Sequence, residues 1–376
     1  MKVLYEPEVF SIQDFGGVSR YFYELIDHAG PELTCELPVA LSNNLYLKGR
    51  KHTQHRQFLP GLAVPGGWRV IQYANRRAAR QAIERQNFDV FHPTLNDNAY
   101  FLDSLGDKPF IITIHDMIPA LFGEYYGQQD PTLALLASRA ARIITVSEHT
   151  RADVLRLLPV PAEKVSVVYH GHVTRSYPAE ALPLCPANYL LFIGKRDNYK
   201  NFGCLVEAFG LLRREAPGLH LVCAGGGAFS AAEQELLRRA GVAHQTVQFG
   251  YLSDGQLNQL YRRAQAFVFP SEYEGFGFPI LEAFGQQCPV VLSNASCFPE
   301  IAQDAALYFG PHNAAELYAQ LARLLRDKEL RLALTRRGQL RGRDFTWAST
   351  VARTCRVYEE ARQAAPASRL RVPERV

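Results

Sequence analysis

Residues 270–284, PSEYEGFGFPILEAF, place two carboxylates, Glu274 and Glu282, on either side of a glycine-rich turn that follows an apolar run. Gly275 and Gly277 let a backbone come close to a ligand, and Pro279 suits the first position of a helix. The start of that helix would offer unpaired amides and a partial positive charge to an anion, with Glu282 in its first turn. A second stretch, FIGKRDNYKNF, ends an apolar strand at Gly194 and continues with Arg196 and Lys200. A forked guanidinium beside a point ammonium suits a diphosphate. Two carboxylates near one diphosphate suit a ligand with two polyols, a nucleotide ribose and the sugar attached to it. The plainer alternative is a strand, a turn and a helix carrying two solvated glutamates.

These groups need a frame, and the chain repeats one pattern twice. Apolar runs such as MKVLYE, DVFHPT, PFIITIHDM, ARIITVS and KVSVVYHG alternate with helical stretches. After an aperiodic, proline-rich interruption near residues 172–187 the pattern restarts with YLLFIG, LHLVCAGGG, TVQFG, AFVFP and PVVLS. Apolar runs bounded by helices mark parallel strands covered on both faces. Two doubly wound α/β domains facing a central cleft follow, and such sheets bind ligands at the carboxyl ends of their strands. The expected boundaries are an N-terminal Rossmann-like domain over 1–174 and a C-terminal Rossmann-like domain over 175–345. A C-terminal helix over 346–362 would pack back toward the first domain, and 363–376 would be a basic, flexible tail. No G-x-G-x-x-G follows a strand, which argues against a dinucleotide, and no phosphate loop ending in Gly-Lys-Ser/Thr occurs.

At 376 residues the chain exceeds what one core usually fills. A hydrophobic content of 47% and a charged content of 21% describe an ordinary globular protein. The N-terminus lacks the regions of a secretory signal, and no apolar run is long enough to span a bilayer, so a cytoplasmic protein is expected. The 7 cysteines are scattered, with neither a disulfide pattern nor zinc spacing. Nine of the basic residues fall between Lys48 and Arg85 (Lys48, Arg50, Lys51, Arg56, Arg69, Arg76, Arg77, Arg80, Arg85) against one acidic residue, Glu84. With a net charge of only +4, the rest of the chain is net acidic. Trp68, Val70, Ile71, Tyr73, Ala74 and Ile83 recur there at roughly helical spacing among arginines. Such a helix could lie on the anionic inner face of a cytoplasmic membrane. The same pattern fits a core-facing helix with a solvated basic face, and no nucleic-acid module accompanies it.

The segment SEYEGFGFPILEAF, with PVVLSNASCFPEIAQDAALYF after it, resembles the signature of the retaining GT-B glycosyltransferases of family 4, also called glycosyl transferases group 1. The spacing of the two glutamates is met by Glu274 and Glu282. GGVSRYFYEL, DVFHPT, TIHDMIP, ITVSEHTRADV, VVYHG, GKRDNYKNF and GYLSDGQLNQLYRRA resemble further blocks in the same order, so the likeness runs to about residue 350. Gln287 and Gln303 depart from it where glycine is common, and Gly310 where an acidic residue is frequent.

The resemblance implies roles. Glu282 would bind the nucleotide ribose and Glu274 the transferred sugar. Arg196 and Lys200, after the strand end at Gly194, would neutralise the donor diphosphate, aided by amides of Gly17 and of the turn Gly275, Phe276, Gly277. His115, in TIHDM, would touch the donor sugar, and Gly250, Tyr251 and Leu252 would line the base pocket. It further implies retention at the anomeric carbon, with no metal and no cofactor beyond a GDP- or UDP-linked sugar. The acceptor would be lipid-linked or an oligosaccharide of a bacterial surface polysaccharide. The blocks look most like a branch rich in mannosyltransferases, which favours GDP-mannose; UDP-linked hexoses and N-acetylhexosamines stay open. A nucleotide-sugar epimerase, a pyridoxal-phosphate phosphorylase, a non-catalytic sensor and a glycosidase with paired carboxylates are the rivals.

Overall fold

A computed structural model describes residues 1–48, 55–62, 64–123, 131–172, 180, 182, 185–196 and 198–364. The chain divides into two units, one formed by Met1–Gly171 with Trp347–Val376 and the other by His172–Thr346. The C-terminal helix Trp347–Gln363 falls in the first unit. Arg50 and Lys51, most of the linker stretch and the tail beyond 364 lie outside the described residues.

Among the described residues, unit 1 holds six parallel strands: β1 (Lys2–Tyr5), β2 (Thr34–Glu36), β3 (Val90–His92), β4 (Ile111–Ile114), β5 (Arg142–Thr145) and β6 (Val165–Val167). They form two three-stranded groups, β2-β1-β3 and β4-β5-β6, linked by a single bridge between Phe91 and Phe110. Strand β2 was not foreseen, because its sequence TCE has no apolar run. It is held only at the edge, in register with β1. The core gathers Leu4, Ile83, Phe91, Phe101, Ile112, Ile143 and Val154. The helix Trp347–Gln363 closes this unit, with Tyr358 Oη bonded to Tyr5 Oη at 2.9 Å and to His92 Nδ1 at 2.7 Å.

Unit 2 is one six-stranded parallel sheet in the order β12-β11-β10-β7-β8-β9. Its strands are β7 (Tyr189–Ile193), β8 (His220–Ala224), β9 (Thr246–Phe249), β10 (Ala266–Phe269), β11 (Val290–Ser293) and β12 (Ala306–Phe309). Four consecutive residues of β10 and of β11 are fully buried, as expected of strands covered on both faces. Helices start where the local sequence caps them. Ser230 with Glu233, and Ser253 with Gln256, form reciprocal capping boxes. The strand order reverses between β7 and β10, so the crevice of this sheet opens between the loops that leave those two strands.

Gln287 and Gln303, the two glutamines at positions where glycine is common, have φ of 61° and 48°. The left-handed backbone persists there although the residue that favours it is absent.

Candidate functional site

The two stretches singled out in the sequence are the two loops at this crevice. After β7 the chain passes Gly194 (φ 120°), whose amide donates to Ala224 O at 2.9 Å, and reaches Lys200 in a single 3-10 turn, Asn198–Lys200. After β10 it runs through Glu274, Gly275 and Gly277 into the helix Phe278–Gly285. Lys200 Nζ meets Glu274 Oε1 at 2.5 Å, both side chains being largely buried. The lysine also lies over the rings of Tyr199 and Phe269, at 4.9 and 5.8 Å. Cation and carboxylate therefore face one another across the crevice.

Hydrogen bonds join the two loops. Glu272 N–H donates to Tyr199 O at 2.7 Å, and Asn201 Nδ2 donates to Pro270 O at 3.1 Å and to Pro311 O. Gly277 (φ 90°) precedes the helix, so Phe278 rather than Pro279 is its first residue. A Cβ on Gly277 would stand 3.1 Å from Ile280 Cδ1 on a backbone that favours glycine. Glu282 accepts a 2.8 Å bond from Tyr261 Oη, which rises from the helix Asp254–Arg263. That bond gives the carboxylate a fixed orientation.

Arg196 is placed otherwise than expected. Its side chain is 1% exposed. Nε donates to Glu233 Oε1 at 2.7 Å, Nη1 to Gly225 O at 2.9 Å, and Nη2 to Gly226, Gly227 and Ala228 carbonyls at 3.3, 2.9 and 3.2 Å. Burial pushes the Glu233 carboxyl up, but the Ser230 amide and the Arg196 guanidinium outweigh it and hold it below its ordinary value. Arg196 thus binds together the turn Gly225–Gly227, three glycines with φ of 81°, 72° and 75°. Its donors point into the protein rather than toward a diphosphate. The neighbouring Lys195 is exposed in its place.

Sequence reasoning also missed the segment that clamps the glutamate loop. Ser296 (φ 54°) accepts from Glu274 N–H at 3.1 Å and donates to Glu274 O at 2.5 Å. Cys297 Sγ donates to Phe276 O at 3.2 Å, and Ser293 Oγ to Ser271 O at 2.5 Å. The only sequence signal was a short polar run, SNASC, directly after β11. Gly250, Tyr251 and Leu252 follow β9, the edge strand, two strands out from the crevice, with Tyr251 exposed.

In unit 1, Gly17 opens the helix Gly17–Asp27. His115 follows the last residue of β4, packed edge-on against Tyr21 at 5.0 Å and tilted against His170 at 5.6 Å. Its Nε2 is buried without a hydrogen-bond partner among the described residues. Burial lowers its pKa to about 4, so the ring is neutral near pH 7.

Comparisons with known proteins agree with this arrangement. The glycosyl transferases group 1 family matches residues 183–341, and glycosyltransferase family 4 matches residues 15–175. The O-antigen chain mannosyltransferase B of Escherichia coli is 31% identical over 268 residues, 66% of this chain and 70% of that protein. Serotype-specific mannosyltransferase WbdA of Escherichia coli is 26% identical over 80% of this chain but only 41% of its own length, so the chain spans less than half of that relative. Among solved structures, a sucrose-phosphate synthase from Thermosynechococcus elongatus superimposes with a TM-score of 0.72 at 17% identity, over 96% of this chain and 98% of that one. HepE of Anabaena in complex with UDP and glucose gives 0.71 at 15% identity, over 96% and 99%. The fold is that of the GT-B glycosyltransferases, built from two Rossmann-like units. The chain belongs to glycosyltransferase family 4, the glycosyl transferases group 1.

Proposed function

We propose that this enzyme transfers a hexose, with mannose from GDP-mannose as the leading donor, to a lipid-linked or oligosaccharide acceptor of a bacterial surface polysaccharide. The transfer retains anomeric configuration and requires no metal or further cofactor. The observation that carries the donor reading is the Lys200–Glu274 pair across the crevice of unit 2, beside a helix N-terminus and an oriented Glu282. The names of the two mannosyltransferase relatives support the sugar.

Departure of a nucleoside diphosphate builds negative charge. Lys200, the amides of the Gly275–Gly277 turn and the start of helix Phe278–Gly285 can offset it, and Lys195 stands exposed to join them. Glu274, which pairs with Lys200, would also accept from a sugar hydroxyl. Glu282 is set to accept from ribose hydroxyls. His115 is held neutral by burial and its Nε2 has no partner among the described residues, which suits a hydroxyl rather than a phosphate. Unit 1 is assigned the acceptor.

The test is to melt the protein with GDP, UDP, ADP and their sugar nucleotides, and to repeat it with Glu282→Ala. A ligand at 100 times its Kd adds about 2.7 kcal/mol. A rise confined to the GDP series and lost in the variant supports the proposal, while a rise with the UDP series reassigns the donor to a UDP-linked hexose. No rise with any nucleotide overturns the site. NMR of the product linkage, with and without EDTA, then tests retention and metal independence.

A further inference from the structure

Exposed large apolar side chains concentrate on one stretch of unit 1. Leu59, Leu62, Val64, Trp68, Val70 and Tyr73 are 44–71% exposed, whereas Leu211, Leu332 and Leu340 are scattered singly over unit 2. Isolated exposed leucines are ordinary, but six large apolar groups within fifteen residues are not.

The described residues of this stretch are held by hydrogen bonds. Asn43 bonds both backbone groups of Phe58: its Oδ1 accepts from Phe58 N–H at 3.0 Å and its Nδ2 donates to Phe58 O at 3.1 Å. Leu62 N–H donates to Leu59 O at 3.0 Å, and Gly67 N–H to Val64 O at 2.9 Å. Phe58 and Val64 close over Gly67, where a Cβ would stand 3.1 Å from Phe58 Cε1. Leu59 takes φ 43°, a strained left-handed backbone for leucine, and still presents its side chain to solvent.

The helix that follows, Gly67–Glu84, divides the arginine-rich stretch differently from a simple amphipathic stripe. Ile71, Asn75, Ala79, Ala82 and Ile83 face the core, while Arg69, Val70, Tyr73, Arg77 and Arg80 face out. Arg76 is withdrawn from the surface set by a bidentate bond to the buried Glu8. The Arg69 guanidinium lies over the Trp68 ring at 5.4 Å. Lys48, Arg56 and Arg85 are also exposed, and Glu84 is the single acid between Lys48 and Arg85. An apolar tip with a cationic skirt matches the two layers of an anionic bilayer surface, apolar chains beneath phosphate headgroups.

We propose that Leu59, Leu62, Val64 and Trp68 form a membrane-docking wedge that enters the headgroup–acyl boundary of an anionic bilayer, with Arg56, Arg69, Arg77 and Arg80 on the lipid phosphates. The seat is shallow: among the described residues no helix is long and apolar enough to cross a membrane.

The protein carries its own reporter. It has two tryptophans, and the second, Trp347, is 3% exposed, so an environmental change on the surface reads Trp68. The full chain is mixed with vesicles of phosphatidylethanolamine and phosphatidylglycerol, or of phosphatidylcholine alone, and followed by emission and co-sedimentation. The expected result is a blue shift and sedimentation with the anionic vesicles only, the shift being absent in Trp68→Phe. Leu62→Asp lowers partitioning about tenfold or more, from the apolar burial it forfeits. Arg69→Gln with Arg77→Gln and Arg80→Gln weakens binding and flattens its decline with salt. Unchanged melting temperatures check that these surface variants fold. No binding, or equal and salt-independent binding to both vesicle types, overturns the proposal. So does a vesicle-free dimer by light scattering that Leu62→Asp dissolves, which would make a second copy the occupant. None of these readouts uses glycosyl transfer, so the wedge and the donor site stand or fall separately.

Discussion

At the carboxyl ends of its central strands unit 2 gathers formal charge, Lys200 against Glu274 and Arg196 against Glu233, whereas unit 1 gathers three uncharged histidines. His92 ends β3, His115 follows β4 and His170 lies beyond β6, all packed around Tyr21 and Phe22. Burial lowers the pKa of His92 to about 3 and of His115 to about 4, and takes His170 well below its ordinary value, with the neighbouring His115 adding to the effect at His92 and His170. The same strand-end location is thus tuned in opposite senses. Fixed charge suits a phosphate, while neutral rings suit hydroxyls, which a buried ion would bind at a greater desolvation cost.

The sharpest way to break the contrast is to remove the charge. Lys200→Ala should lower kcat/KM by about 10²- to 10³-fold, as for loss of one contact to a developing anion. His115→Gln should lower kcat without moving the pH profile between pH 6 and 8, because His115 already titrates at about 4. An activity limb near pH 6.5 that disappears in this variant would erase the distinction.

A second test concerns a carboxyl that unit 1 buries in this region, Glu6, beside the buried Glu8 that Arg76 holds. Glu6 is pushed up to about 8, first by burial and then by the nearby Glu8. It accepts from Tyr100 Oη at 2.8 Å and from the Glu8 amide at 2.9 Å. A raised carboxyl pKa means the folded state holds the proton more tightly. Its contribution to stability is therefore complete below pH 4.5 and is lost as pH rises through about 8. Glu6→Gln should flatten the fall in melting temperature across that window; a parallel fall in the variant would count against it.

Smaller effects probe how unit 2 holds its charges. Tyr261→Phe removes the bond that orients Glu282 and should weaken nucleotide binding by about fivefold, near 1 kcal/mol, as read by calorimetry. Gln287→Gly relieves a left-handed residue and should stabilise the enzyme by roughly 0.5–1 kcal/mol with activity unchanged. A lower melting temperature would show that the glutamine side chain matters there.

Much of the frame could be read from the chain, because parallel strands buried on both faces print as apolar runs. The edge strand Thr34–Glu36 could not, since an edge is defined by its partner rather than by its own composition. Lys200, Glu274 and Glu282 were legible as chemistry beside glycines at strand ends. Arg196 was legible as a charge but not as a direction: its partner, Glu233, lies 37 positions on, and burial of the pair is a tertiary fact. The Ser296 clamp was invisible for the same reason, its bonds running to Glu274 from 22 residues away. In Trp68–Ile83 the alternation of arginine and apolar residues was plain, yet only packing divides Ile71 and Ile83 from Trp68 and Tyr73.

The chain path adds a consequence for assembly. Unit 2 is an insertion between the two segments of unit 1, and the buried hydroxyl pair Tyr5–Tyr358 joins residues 353 positions apart. During synthesis His172–Thr346 leaves the ribosome before Trp347–Gln363 does, so unit 2 can fold ahead of the closing helix of unit 1. A folded insert also shortens the tether that unit 1 must close, easing the entropy of so distant a pairing. Until then the rings of Tyr5 and His92 wait without the hydroxyl that completes them. The ribosome therefore delivers the inserted unit complete before the unit that surrounds it.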